Sequence, residues 1–204
     1  MRTTLLNRWI KLFPNASLDR SLQIFDKLWQ LYAQPTRRYH TIAHIAASLA
    51  TLDKYFPNAD RSVELAIWFH DAIYIAGDPD NELLSGSFSE LCLTYLHEPQ
   101  AVRAEVRQMI ECTKHHIGQT QNEDILCDID LEPLSLPSIE YDHNTAELRF
   151  EYRAYGDTIW HAGRLSFIDK LLERSAIFQT DGMREWFEAN ARGNLKRERK
   201  LYTS

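Results

Sequence analysis

Apolar residues recur at three- and four-residue steps along nearly all of this 204-residue chain. That spacing gathers them on one face of an α-helix but scatters them over both faces of a strand. Residues 18 to 33 place Leu22, Phe25, Leu28, Trp29 and Tyr32 on one stripe, and residues 41 to 56 do the same with Ile42, Ile45, Leu49, Leu52 and Phe56. The segment "PNADRSVELAIWFHDAIY" carries Val63, Ala66, Ile67 and His70 at the same steps, so a helix is predicted over 63–74, before Gly77, Asp78 and Pro79 break the chain. Further helices are expected near 81–97, 99–116, 139–159, 163–173 and 181–199, with "CDIDLEPLSLPS" as an irregular or short helical connector. Alternating strand patterns and internal repeats are absent. The expected fold is all-α, a single-domain helical bundle over 1–204 in which the helices near 41–56, 63–74 and 99–116 converge and "MREWFEANARGNL" packs as a core helix.

The hydrophobic content of 44% suffices for a sizeable core, and no Gly/Ser/Pro-rich linker divides the chain. A net charge of -6 argues against a stable nucleic-acid partner held by a basic surface, while leaving room for a small anionic substrate met by local arginines. Cys92, Cys112 and Cys127 are widely spaced and odd in number, matching neither a disulfide framework nor a zinc ribbon, so a reducing cytoplasm is the simpler expectation. The first fifteen residues carry charges inside their apolar part and no small-residue cleavage site, and no apolar run approaches the ~20 residues that span a bilayer. The sequence leaves a homo-oligomer open.

Three clusters carry chemistry. In "RRYHTIAHI", His40 and His44 stand four apart and would share one helix face. In "WFHDAIY", His70 and Asp71 interrupt an apolar run, although charged side chains are seldom buried unless paired or bound. In "CDIDLEPL", Asp128 and Asp130 alternate with apolar residues, and one of them is drawn inward if Leu131 and Leu134 pack. Each cluster alone fits ordinary packing, capping or surface roles. Together they supply imidazole and carboxylate donors of the kind that bind Mn, Fe, Co, Ni, Zn or Mg with positions left for water.

The order His44, His70-Asp71, Asp130 resembles the signature of the HD superfamily of metal-dependent phosphohydrolases. Beyond it, "RRYHTIAHI", "IWFHDAIY", "DNELLS", "TKHH", "DIDL", "LRFEY", "GRLSFIDKLLER" and "ARGNL" are similar to a bacterial branch of predicted phosphohydrolases of that superfamily, from Arg37 to Leu195. The resemblance implies an HD-type helical bundle with one divalent ion held by His44, His70, Asp71 and Asp130. It favours Asp130 over Asp128 because the last ligand stands just inside "DL". His40 then becomes a supporting or substrate-facing residue, and His116 of "TKHH" a substrate contact or a donor to a second metal.

The implied reaction is hydrolysis of a nucleotide or another small phosphoester by a metal-activated water, with Asp71 and Glu82 as the catalytic carboxylates. Glu82 would orient or deprotonate the water, or else serve only as a first-turn helix carboxylate. Arg37, Arg149 and Arg164 are candidate phosphate contacts, each with a surface ion pair as its plain alternative, and Asn81 is a candidate substrate contact beside Glu82. No P-loop and no GxGxxG fingerprint occurs. Two other readings compete: an HD-type di-iron oxygenase, which needs a second metal, and a non-catalytic nucleotide sensor.

Overall fold

The computed structural model describes residues 1–203, and among them every regular element is helical. The chain's contacts gather it into two compact units, Met1–His115 and His116–Ser204. None of the described helices is long and apolar enough to cross a membrane.

The first unit holds α1 (Arg2–Leu12), α2 (Leu18–Tyr32), α3 (Ile42–Tyr55), α4 (Arg61–Phe69), α5 (Asn81–Tyr95) and α6 (Gln100–Cys112). Helix α2 opens with Ser17 accepting from the Arg20 amide, and α3 opens with Thr41 accepting from the Ala43 amide, which satisfies first-turn donors that would otherwise lack partners. Helix α4 lies at the centre. Ser62, Val63, Leu65, Ala66, Ile67, Trp68 and Phe69 are all buried, so its burial extends round most of the helix instead of along one stripe. Trp9, Phe25, Trp68 and Phe69 meet in tilted and edge-on contacts, with the Trp9 ring 5.3 Å from Trp68 and 5.9 Å from Phe69. Helix α6 packs on α4 and α5. A Cβ at Gly86 would stand 3.2 Å from Arg107 Cγ, so the α5–α6 contact is close there.

The second unit holds α7 (Gln121–Leu131), a 3-10 turn (Glu132–Ser135), α8 (Ser138–Glu151), α9 (Asp157–Glu173) and α10 (Asp181–Thr203). Helix α10 packs on α9 and on the 3-10 turn, where Asn194 Nδ2 donates to the carbonyls of Leu134 and Leu136 at 3.0 and 2.8 Å. Met183, Ala191 and Leu195 are buried, so "MREWFEANARGNL" does form core, although Trp186 on the same helix is exposed.

Several elements depart from expectation. The helix predicted over 63–74 stops at Phe69. The helix predicted over 139–159 breaks at Tyr152–Gly156, because Arg149 turns its guanidinium onto the carbonyls of Tyr152 and Tyr155 and pairs with Asp157 across the break. Helices α1 and α7 are additional. In α7, Ile125 through Ile129 are all buried, which erases the periodic signal; "DIDL" therefore ends a helix instead of belonging to a connector. A legible sign did exist, since Thr120 accepts from the Glu123 amide while Glu123 reaches back to the Gln119 amide, close to a capping box.

Candidate metal centre

Helix α3 begins at Ile42, so His44 lies in its first turn while His40 precedes it. The two histidines therefore do not share a helix face, and their ring centroids are 6.2 Å apart. His40 instead lies 4.0 Å from the Tyr74 ring, and Tyr39 lies 5.4 Å from that of His44.

His70 caps the C-terminus of α4, and side chains hold carbonyls at and just past this end. Tyr32 Oη donates to Trp68 O at 3.0 Å, and Arg37 donates to Asp71 O at 2.6 Å and Ala72 O at 2.9 Å. His70 Nδ1 lies 2.9 Å from Ile67 O; a carbonyl only accepts, so Nδ1 carries the proton and Nε2 presents its lone pair. Leaving the helix also solves a geometric problem. Neighbours on a regular helix point about 100° apart, yet here Asp71 Oδ2 is 3.0 Å from His70 Nε2 and 3.7 Å from His44 Nε2. The two imidazole Nε2 atoms are 3.2 Å apart.

Past Asp71 the chain is strapped down. Ser85 Oγ accepts from Ile73 N and donates to Ile73 O, both at 3.0 Å. Asn81 accepts from Ile75 N and donates to Ile75 O, both at 2.9 Å. Gly77, at φ 80, then turns the chain toward α5. This corrects two expectations. Asn81 is buried, with its amide engaged by the backbone rather than by substrate. Arg37 is buried too, and four of its N–H groups face carbonyl oxygens: those of Gln34, His40, Asp71 and Ala72. It is a clamp on the His-Asp turn, not a side chain held out for phosphate.

Helix α7 separates its two carboxylates. Asp128, fully buried, accepts from Gln179 N, Thr180 N and Thr180 Oγ1, each at 2.7 Å, and so anchors the residues leading into α10. Burial raises its pKa above the ordinary carboxylate range, against the pull of those hydrogen bonds. Asp130 is half-buried, and its Oδ2 lies 2.9 Å from His116 Nε2. His116 adopts a left-handed backbone at φ 49, and its carbonyl accepts from Arg174 Nη1 and Gln179 Nε2, both at 2.9 Å. His116 thus makes an orienting contact with Asp130.

Arg149 and Arg164 are committed to the fold of α8 to α10. Arg164 is buried with Glu198, donating at 2.8 and 3.0 Å, and touches Tyr141 Oη at 3.3 Å. Phosphate contact by Arg164 is therefore corrected to a buried ion pair, and Arg149 to a helix-end clasp paired with Asp157. Glu82 lies half-buried in the first turn of α5. Helix α6 supplies none of the clustered ligands. Sequence reasoning passed over Ser85, which stands four residues after Asn81 on the same face of α5 and could have been read from that spacing.

One donor atom from each of His44, His70, Asp71 and Asp130 lies within 4.8 Å of the others. Two ligands about 2.0–2.2 Å from a common ion at roughly right or tetrahedral angles stand about 2.8–3.6 Å apart. The spacings of 3.0, 3.2 and 3.7 Å among His44, His70 and Asp71 match that range with small adjustment. The donor set of two imidazoles and two carboxylates suits a divalent ion, and the protonated Nδ1 of His70 leaves the correct nitrogen available.

The fold and cluster together define an all-α protein with a His/Asp site that could hold a metal ion. Comparison of the chain with protein-family models, curated proteins and solved structures finds no match.

Proposed function

We propose that the chain is an HD-type metal-dependent phosphohydrolase acting on a nucleotide or another small phosphoester. The observation that carries this reading is the clustering of His44, His70, Asp71 and Asp130 donors within 4.8 Å. Its order along the chain, together with the phrases from "RRYHTIAHI" to "ARGNL", supports HD membership. A divalent ion held there would polarise a phosphoryl oxygen and lower the pKa of an attacking water.

The chain's own residues do the rest. Ile67 O fixes the His70 tautomer, and His116 restrains Asp130. Glu82, in the first turn of α5, takes the proton of the attacking water. His40, beside Tyr74, faces the substrate.

The test is metal analysis of the purified protein followed by a phosphoester panel with Mn, Fe, Co, Ni, Zn and Mg supplied separately. About one ion per chain and metal-dependent phosphate release are expected. Protein that takes up none of these metals would overturn the site. Two ions with oxygen consumption would favour the oxygenase, and tight nucleotide binding without turnover would favour the sensor.

A further inference from the structure

Resting on that metal reading, we infer that Asn81 and Ser85 of α5 and Arg37 ahead of α3 are positioning residues that hold the segment Asp71–Ile75 so that the Asp71 carboxylate stays in ligating position. Asn81 and Ser85 each bind both the amide and the carbonyl of one residue, Ile75 and Ile73 respectively. These are the exchanges that a neighbouring strand makes with an extended chain. The spacings fit: one helical step of four residues rises about 6.0 Å, and two extended residues span about 6.6 Å. A helix face thus substitutes for a strand.

The alternation has a second effect. Tyr74, between the two clasped residues, lies against His40, with ring centroids 4.0 Å apart. At the other end, the planar guanidinium of Arg37 bridges the carbonyls of Asp71 and Ala72. Asp71 is therefore gripped through its own carbonyl on one side and through the chain two and four residues later on the other. No regular element holds this residue, since α4 has already ended at Phe69. These side chains limit where its carboxylate can swing, alongside its contacts with His70 and His44.

The experiment uses the full chain with Co(II) as the probe. Asn81→Ala and Ser85→Ala are compared with wild type by thermal unfolding of metal-free protein and by Co(II) titration followed through its visible absorption bands. Removing groups that orient a ligand commonly weakens metal binding by roughly 10–100-fold. That weakening is expected in both variants, with altered band intensity and a metal-free fold that still unfolds cooperatively. Variants that match wild type in affinity and spectrum overturn the inference and reduce the clasps to loop stabilisers. Wild type that binds no Co(II) overturns the metal reading itself, a separate outcome.

Should either alanine variant fail to fold, Asn81→Asp carries the test. It keeps the acceptor for Ile75 N–H while losing the donor to Ile75 O. Weaker Co(II) binding supports the inference, and wild-type binding refutes it. Arg37→Lys completes the set: an ammonium keeps the charge but not the planar bridge, so affinity is expected to fall there too, and full retention would remove Arg37 from the device.

Discussion

Replacing Arg164 with Met separates a structural from a catalytic role. Arg164 and Glu198 are 9% and 2% exposed, and two guanidinium hydrogen bonds of 2.8 and 3.0 Å join them. Tyr141 and Tyr202 also donate to the Glu198 carboxylate. In Arg164→Met the carboxylate keeps its burial and its two tyrosines but loses the guanidinium it is bonded to. Removing one partner of a buried pair costs about 3–5 kcal/mol, against about 0–1 kcal/mol for an exposed one. We expect the larger loss at neutral pH, read from urea unfolding by circular dichroism. It should shrink in acid, because burial without Arg164 raises the Glu198 pKa and protonation then relieves the charge. Arg164→Met/Glu198→Leu should recover part of the loss, the remainder reflecting two tyrosine hydroxyls left without that acceptor. Where the single variant is folded, the KM for the best phosphoester should be unchanged. A stability loss under about 1 kcal/mol combined with a raised KM would refute the argument and return Arg164 to the substrate.

Asp71→Ala should abolish most metal uptake while the far-UV spectrum stays helical, whereas Asp128→Ala should retain metal and lose about 2 kcal/mol of stability as Gln179 and Thr180 lose their acceptor; metal analysis beside urea unfolding reads both, and the reverse pattern would mean that Asp128 is the ligand. Glu82→Gln should keep its metal and lose hydrolysis by at least roughly a hundredfold; loss of the metal instead would add Glu82 to the ligand set. In wild type, burial opposes ionisation of Glu198 but the Arg164 hydrogen bonds prevail and its pKa is lowered from 4.5. The stability this group contributes is therefore present above its unfolded pKa and lost as pH falls through its lower folded value; Glu198→Gln should flatten that acid limb of a stability–pH curve.

The helical class was legible because helix formation is read from residues three and four apart, and α2, α3 and α5 repeat their apolar residues at those steps. The candidate ligands were legible too, because His70 and Asp71 break an apolar run and so demand a partner. Other features depend on groups distant along the chain. The turn that follows α4 is held by Tyr32 on Trp68 O and by Arg37 on the Asp71 and Ala72 carbonyls, and no local propensity records that. The different duties of Asp128 and Asp130 depend on Gln179 and Thr180, some fifty residues later, claiming one carboxylate, and on His116 lying beside the other. Arg37, Arg149 and Arg164 look alike in sequence, each a cation near an apolar stretch. Only tertiary structure shows that carbonyls surround the first, a helix break the second and a buried glutamate the third. A side chain's type sets what it can bind, but its neighbours in space determine which of those bonds is available, and burial makes that choice costly to reverse.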